Sequence, residues 1–248
     1  MRRLFYKGIL GESITITGTD AHHLMHVMRA KAGQQVTVVD DEGSVALMEM
    51  TAFTAESVEL TLKERLEGNT ESPLELTLVQ CLLKADKMDW VVQKAVELGA
   101  DRICPVASQN CVVQYDNKKA EQRRQRWQKI ADEAAKQCGR TKLLKVEPIC
   151  SFKEWLAKSS FSEENPLYFC YENEEQKILK ESLRENKSLK ATSLIGPEGG
   201  FTLEEAQATE EAGGKSVTLG PRILRAETAA LASLSVIQYE LGDLGRVD

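Results

Sequence analysis

The first part of the chain, residues 1 to about 68, alternates between apolar and polar positions over short stretches. SITITG has a period of two, QQVTVVD leads into the turn DDEG, and SVALMEM and SVELTL follow. This period places alternate side chains on opposite faces of a β-strand. DAHHLMHVMRA departs from it and predicts one short helix, for which Asp20 is a candidate N-cap. The pattern therefore predicts a small β-barrel-like domain.

The pattern changes after Pro73. LELTLVQCLL is almost continuously apolar, which is typical of a strand buried on both faces. DKMDWVVQKAVELGA has apolar residues on one helical face, and a long basic helix is predicted from about 118 to 138. RICPVA, KLLKVEPI, PLYFCYE, TSLIGPE and GKSVTLG predict further strands between helical segments. This alternation predicts an α/β domain with a mainly parallel sheet.

The segment LEGNTESP, residues 66–73, separates the two patterns. It is polar and contains Gly and Pro, as linkers between domains commonly do. We therefore predict a domain of residues 1–70 and a second domain of residues 71–248.

The chain has 248 residues and a formal net charge of -6. The charge is unevenly distributed, because residues 118–145 contain ten Lys or Arg but only three Asp or Glu. A basic segment in an acidic chain is typical of a surface that meets nucleic acid. A helix with one solvated basic face would have the same composition, and charge alone does not separate the two interpretations.

The six cysteines include no C-x-x-C pair, which argues against zinc-ribbon and thioredoxin motifs. His22 and His26 have the i, i+4 spacing of a helical metal site, but the glutamate of H-E-x-x-H is missing. We therefore expect no metal. No stretch approaches the length of a membrane span, so we expect no membrane partner and a cytoplasmic protein.

The stretch LIGPEGGFTLEEA, residues 194–206, contains the first candidate binding loop. A strand is predicted to end at Ile195, and the glycines that follow allow the backbone to approach a ligand closely. Thr202 and Glu205 have the spacing of a capping box at the start of the next helix. Ligands of open α/β sheets bind outside the carboxyl ends of strands, where this loop lies. The spacing fits neither the dinucleotide fingerprint nor the P-loop.

A second candidate loop lies in LGPRILRAETAALASLSVIQ, residues 219–238. A Gly-Pro pair ends a strand, and Ile223 and Leu224 are apolar in a loop that should face water, so we expect them to plug a cavity. The remainder predicts a helix of small residues that allows another element to approach closely. A buried helix would explain these residues, but it would not explain Arg222 and Arg225.

These two stretches together resemble the bacterial 16S ribosomal RNA (uracil-N3)-methyltransferases of the SPOUT superfamily. RLFY and AHHLMHVMRAKAGQQV look like the N-terminal RNA-binding domain of that family, which has a PUA-like fold. KADKMDWVVQKAVELGA and KKAEQRRQRWQKIADEAAKQCGR look like its central segments. The resemblance therefore covers most of the chain, and the paired C-terminal motifs are highly specific.

The resemblance implies a C-terminal α/β SPOUT domain with a mainly parallel sheet and a deep trefoil knot, plus a small N-terminal PUA-like β-barrel domain. It implies S-adenosyl-L-methionine as cofactor, a homodimer, and 16S rRNA of the small ribosomal subunit as substrate. The product would be N3-methyluridine at a decoding-centre position.

The resemblance also implies roles for individual residues. The cofactor loops would contain Tyr171, Glu172, Ile195, Gly196, Pro197, Glu198, Gly199, Gly200, Leu219, Gly220, Arg222, Ile223, Leu224 and Arg225. Arg3, His23 and Arg29 match the N-terminal motif and are candidate RNA contacts. Further candidates for RNA contact, from the basic segment, are Arg123, Arg124 and Arg126.

Methylation of uridine N3 requires removal of its proton, and a cation beside the uracil oxygens would stabilise the resulting anion. Arg225 and Arg140 are our catalytic candidates for this cation, and we expect Arg222 to be structural. Glu198 and Glu227 are candidate bases, or they hold the loops.

Two segments depart from the family pattern. Gln109-Asn110-Cys111 stands where the family usually has Glu-Arg-Ser, and Lys136-Gln137-Cys138 stands where it often has Glu-Gln-Ser. Arg140 is retained. Two alternatives follow: a SPOUT methyltransferase with another rRNA or tRNA target, or a non-catalytic RNA-binding or ribosome-assembly protein.

Overall fold

The computed structural model describes residues 3–68 and 70–245, so residue 69 of the predicted linker lies outside the described residues. The chain divides into two compact units. Unit 1 comprises residues 1–71 and 135–143, and unit 2 comprises residues 72–134 and 144–248. The division near residue 71 is close to the predicted linker, but residues 135–143, which comprise the last turn of the basic helix and the residues after it, belong by packing to unit 1.

Unit 1 is built on a five-stranded sheet with strand order β1-β3-β4-β5-β2. Its elements are β1 (Arg3–Phe5), β2 (Ser13–Thr17), α1 (Gly18–His22), a π-helical turn (His23–Val27), β3 (Gln35–Val39), β4 (Val45–Phe53) and β5 (Ser57–Leu66). Pairing is antiparallel except between β1 and β3. Two register shifts between β4 and β5 bend the sheet, because a bulge increases local twist. One apolar cluster fills its interior, including Leu24, Val38, Met48 and Leu60.

The predicted N-cap at Asp20 is wrong. Helix α1 begins at Gly18, and the cap position is Thr17, whose side chain makes no capping bond. Asp20 lies in the first helical turn, where its carboxylate accepts a hydrogen bond from Lys136 Nζ at 2.6 Å. A negative charge in the first turn is favourable beside the helix macrodipole, so this position has the same residue preference as a cap.

Unit 2 is an α/β fold around a seven-stranded sheet with the order β12-β10-β11-β6-β7-β8, and β9 also pairs with β7. The strands are β6 (Glu75–Cys81), β7 (Arg102–Ala107), β8 (Lys145–Val146), β9 (Cys150–Ser151), β10 (Leu167–Cys170), β11 (Lys190–Ile195) and β12 (Lys215–Val217). The helices are α2 (Lys87–Glu97), α3 (Asn117–Cys138, which ends in unit 1), α4 (Phe152–Lys158), α5 (Leu179–Arg184), α6 (Leu203–Glu211) and α7 (Ala226–Leu241). All of these strand pairs are parallel, which confirms the predicted fold class. The knot stays a prediction.

The small residues of α7 let this helix pack closely against β11, β6, α2 and α5. Ser233 is fully buried, and its Oγ lies 2.7 Å from Ser193 Oγ on β11. Gln238 is also buried and donates to the carbonyl of Gly99 at the end of α2. Buried polar groups need hydrogen-bond partners. The two serine hydroxyls supply each other's, and the amide of Gln238 has the carbonyl of Gly99. The thin helix predicted from the sequence is therefore held to the sheet by specific polar contacts.

Candidate active site

Three neighbouring strands of unit 2 end at the same edge of the sheet. β12, β10 and β11 are adjacent and parallel, so the loops after Cys170, Ile195 and Val217 meet there. Between these loops lies a cavity of about 980 Å³, within the usual range for small-molecule sites. Every residue that the sequence predicted for the cofactor loops lines this cavity. The fold therefore brings together three segments that are far apart in the chain.

The first loop, residues 196–200, depends on its glycines. Gly200 has a φ of +69° and its N–H donates to the carbonyl of Pro197 at 3.1 Å. A Cβ at this position would lie only 1.7 Å from Glu172 Oε1 of the neighbouring loop. The backbone conformation therefore favours glycine, and any side chain here would also displace the carboxylate of Glu172. The predicted capping box of Thr202 and Glu205 is confirmed, with both reciprocal bonds at 3.1 Å.

Lys87, in the first turn of α2, connects two segments of the cavity wall. Its Nζ lies 3.1 Å from Glu198 Oε1 and 3.3 Å from Glu227 Oε2. The backbone N–H of Lys84 also donates to Glu198, at 3.3 Å. Burial raises the pKa of Glu198, but the hydrogen bond from Lys87 and backbone donors outweigh this effect, so its pKa is lowered. The hydrogen bond to Glu198 in turn raises the pKa of Lys87.

Lys87 was not among the predicted site residues, although it lines the cavity. The available signal was KADKMDW, one of the segments that resemble the SPOUT family. A lysine at the start of a helix carries no local signature of such a role, because its partners lie far away in the chain. Its two ion pairs give Glu198 and Glu227 a common counter-ion, and whether either acts as a base stays open.

The second loop, residues 219–225, is open to solvent. Ile223 is 83% exposed, so the expectation that it plugs a cavity is wrong within the described chain. Its side chain lies on the rim of an open site instead. In the same loop, Gly220 has a φ of +120°, a backbone conformation that favours glycine. Arg225 occupies the N-cap position of α7. The guanidinium groups of Arg222 and Arg225 form no hydrogen bond or ion pair with any residue of 3–68 or 70–245, so the structure shows no anchoring role for Arg222.

The third loop follows β10. Asn173 donates to the phenolic oxygen of Tyr171 at 3.1 Å. Glu174 accepts hydrogen bonds from the backbone N–H groups of Gln176 and Lys177, and these bonds lower the pKa of Glu174. The carboxylate of Glu174 therefore fixes the backbone of this loop. Tyr171 and Glu172 lie on the cavity wall.

Arg140 lies in unit 1 and does not line the cavity. It is 5% exposed, and its Nε donates to Glu71 Oε2 at 2.9 Å. Burial raises the pKa of Glu71, but Arg140 and the backbone N–H groups of Thr141 and Lys142 outweigh it and lower the pKa. The structure thus gives Arg140 a structural partner, and it does not bring Arg140 together with Arg225 in one unit.

The N-terminal candidates for RNA contact all lie in unit 1. Arg3 Nη1 donates weakly to Thr70 Oγ1 at 3.4 Å, and His23 is partly buried in the π-helical turn. Arg29 is exposed and adopts a φ of +51°, which is uncommon for a residue other than glycine. RNA contact by Arg29 stays a prediction.

The arginines of α3 are less available for RNA contact than the basic composition of this segment indicated. Arg124 pairs with Glu121 at 2.7 Å, and Arg126 pairs with Asp89. Arg123 lies over the ring of Tyr115, with 5.7 Å between its guanidinium carbon and the ring centroid. Intrachain partners therefore offset part of the local positive charge.

The departure at residues 109–111 lies beside the first loop. Asn110 contacts Gly199 and Gly200, and Cys111 is buried, with its Sγ 3.2 Å from Ser108 Oγ. A hydrogen bond from the Cys81 thiol, with further bonds from Ser108, lowers the pKa of Cys111 to about 6 despite its burial. Burial raises the pKa of Cys81.

No group of three or more potential metal ligands occurs in the described part of the chain. The rings of His22 and His26 pack against each other, with their centroids 4.6 Å apart. Among the described helices, none has the length and apolar content needed to cross a membrane.

The two units match two family models. The model described as an RNA methyltransferase PUA domain matches residues 16–63, and the model described as an RNA methyltransferase domain matches residues 70–238. The chain therefore belongs to the RNA methyltransferase family. This assignment confirms the resemblance inferred from the sequence, including its PUA-like N-terminal domain.

Individual relatives show which RNA methyltransferases this chain is similar to. The chain is 35% identical over 231 residues to Ribosomal RNA small subunit methyltransferase E of Bacillus subtilis, covering 92% of this chain and 90% of that protein. The crystal structure of the Neisseria gonorrhoeae enzyme of the same name is described as bound to S-adenosyl methionine. It superposes with a TM-score of 0.88 at 34% identity, over 98% of this chain and 99% of that one. A Legionella pneumophila methyltransferase with bound cofactor, 28% identical, has a TM-score of 0.82 over 97% and 98% of the two chains.

Proposed function

We propose that this protein uses S-adenosyl-L-methionine to methylate N3 of a decoding-centre uridine in 16S rRNA of the small ribosomal subunit, in the cytoplasm. The observation that carries the proposal is the convergence of all three predicted loops on one cavity. Family membership and the cofactor-bound relatives support the same reaction class.

The cavity suits this cofactor in size and chemistry. Leu219 and Leu224 are partly exposed and offer apolar surface of the kind that packs against a flat adenine ring. The carboxylate of Glu172 suits hydroxyl and cationic groups. At Gly220 an added Cβ would meet no atom within 4 Å, so the backbone there borders open space.

The cofactor supplies a methyl group that is already activated by its bond to a positively charged sulfur. The protein must hold the uridine so that N3 faces this methyl group, and a base in a duplex must first leave the stack. Arg225 lines the cavity and has no partner among the described residues. Its guanidinium would stabilise the negative charge that develops on the uracil oxygens as the N3 proton leaves.

Calorimetric titration with S-adenosyl-L-methionine tests the cofactor, and an absence of heat at high ligand concentration would reject it. Arg225→Ala should lower methyl transfer to small subunits by about 10²–10³-fold, the range found when one charge-stabilising donor is removed. Arg184→Ala, a change to an exposed arginine on α5 outside the cavity, should leave transfer unchanged. Equal activity of the two variants would remove Arg225 from the mechanism.

The target is tested by mass spectrometry of nucleosides from 16S rRNA of a strain that lacks the gene. Loss of N3-methyluridine supports the proposal. Its retention would favour another RNA target, or a role in RNA binding without catalysis.

We also propose that the protein acts as a homodimer. The exposed apolar side chains of Ile223 and Tyr239, 83% and 64% accessible, support it because a second copy could cover them. Light scattering after size-exclusion chromatography measures the mass directly, and a monomer at micromolar concentration would contradict the proposal.

A further inference from the structure

Asn110 lies in the loop that follows β7, behind the first cavity loop. Its Nδ2 donates to two consecutive carbonyls, that of Gly199 at 3.2 Å and that of Gly200 at 3.1 Å. Asn110 itself is not part of the cavity lining, whereas both glycines are. Any effect of Asn110 on the cavity therefore acts through the position of this loop.

Two bonds to consecutive carbonyls fix the planes of two consecutive peptide groups. The described chain has no cis peptide bond, so each N–H points away from the carbonyl of its own peptide group. The N–H of Gly200 is used inside the loop, where it donates to Pro197. Asn110 thus holds the loop from outside, while the turn bond holds it from inside.

The contact between the two loops is also tight. A Cβ added at Gly199 would lie 3.0 Å from the Cβ of Asn110 and 3.3 Å from its carbonyl oxygen. On the other side, Glu172 occupies the space beside Gly200. The Gly199–Gly200 segment therefore lies between Asn110 and Glu172, and a larger residue at either position would have to displace one of them.

The loop that carries Asn110 is itself anchored. The backbone N–H of Gln109 donates to Glu205 Oε1 at 2.9 Å, and Glu205 is the capping-box residue of α6. Ser108 and Cys111, which flank Gln109 and Asn110 in the chain, are buried and in contact with each other. The backbone on either side of Asn110 is thus held by contacts with α6 and within the loop.

We propose that Asn110 is a positioning residue that pre-organises the Gly199–Gly200 segment for cofactor binding. This inference rests on the proposed function of the cavity. It assigns a role to a residue that departs from the family pattern: the side-chain amide supplies the N–H donors that keep the loop in place. Pre-organisation lowers the free energy that the ligand must spend on ordering its site, so its loss should weaken binding.

The test uses two variants of the full-length protein. Asn110→Asp keeps the size of the side chain but places an acceptor against two carbonyls, and Asn110→Ala removes both bonds. Gln109→Ala is the matched control, because the bond from residue 109 comes from its backbone and survives the change. Asn110 is exposed, so all three variants should fold, which circular dichroism verifies.

Loss of two hydrogen bonds should weaken cofactor binding by about tenfold. We expect the Kd and the KM for S-adenosyl-L-methionine to rise together in both Asn110 variants, while kcat changes by less than about twofold, since the affected interaction is uniform binding. Without cofactor, the amides of residues 198–201 should exchange hydrogen faster in the Asn110 variants than in Gln109→Ala.

The outcomes separate this inference from the proposed function. If the unmodified protein binds the cofactor and Asn110→Asp binds it equally well, the positioning role is overturned. If the unmodified protein does not bind it, the proposed function fails. Hydrogen exchange then still decides whether Asn110 holds the loop, and unchanged exchange would overturn that claim.

Discussion

Removing the charge of Lys87 should loosen two walls of the cavity at once. This residue joins Glu198 of the first loop to Glu227 in the first turn of α7. Lys87→Met keeps most of the apolar stem but leaves the two carboxylates without their common cation. They then repel each other, and the loops lose a shared contact.

The expected loss of stability in Lys87→Met follows from the partial exposure of the three charged side chains. The side chains of Lys87, Glu198 and Glu227 are 29%, 24% and 15% exposed, so solvent screens the pairs incompletely. Exposed ion pairs contribute about 0.2–1 kcal/mol, and each of these two should lie near the upper end, which gives about 1–2 kcal/mol together. If the cofactor must hold the two segments in place instead of Lys87, its Kd should rise by about tenfold, which corresponds to about 1.4 kcal/mol.

The pH dependence has a definite sign. Because the pKa of Glu198 is lowered from 4.5, its contribution is present above pH 4.5 and is lost as the pH falls through the lowered pKa. Because the pKa of Lys87 is raised from 10.5, its contribution is present below pH 10.5 and is lost as the pH rises further. The stability difference between the unmodified protein and Lys87→Met should therefore be constant between these limits.

Urea unfolding at pH 7 measures the stability difference, and calorimetry measures the Kd. Lys94→Met is the matched control, because Lys94 lies on the same helix, is 30% exposed, and pairs with Glu97 at 2.8 Å. It should not change cofactor binding. A Kd for Lys87→Met equal to that of the control would refute the reasoning. Combining Lys87→Met with Glu198→Gln distinguishes the mechanisms, because a shared contact makes the effects non-additive and a direct cofactor contact makes them add.

Three further predictions concern residues away from this contact. Arg140→Ala should destabilise the protein by up to about 3 kcal/mol, since it breaks the ion pair of a buried arginine with Glu71. A loss below about 1 kcal/mol in urea would contradict a structural role. Thr202→Ala should cost about 1 kcal/mol by removing a helix cap, and an unchanged urea midpoint would show that the cap is dispensable. Iodoacetamide should modify exposed Cys138 before Cys111, because burial restricts access to Cys111 although its pKa is about 6; peptide mass spectrometry showing the reverse order would contradict this.

Local patterns predicted much of the fold because each reflects nearby residues only. The continuous apolar run after Pro73 forms β6, and the small-residue pattern after Arg225 forms α7 from Ala226 to Leu241. The capping box that begins at Thr202 also formed as predicted. In each case the signal and the structure lie within one element, so no distant contact was needed to interpret it.

The incorrect or incomplete predictions involve distant partners. Asp20 resembles a helix cap in sequence, yet its carboxylate binds Lys136. Ile223 is apolar but exposed, because no other element of the described chain covers this part of the loop. Arg140 is buried against Glu71, a partner 69 residues away along the chain. A residue type indicates which contact is favourable, but not which residue will supply it.

The sequence by itself determined the strand-rich first part, the alternation of strands and helices after Pro73, the two glycine-containing loops and the family to which they point, since periodicity and loop chemistry are local properties. The tertiary structure decided which loops meet, because parallel strand order places the ends of β10, β11 and β12 side by side. It also decided that Lys87 and Asn110 support the first loop, through contacts that span 111 and 90 positions of the chain. Such contacts depend on the path of the whole backbone, which no local pattern specifies.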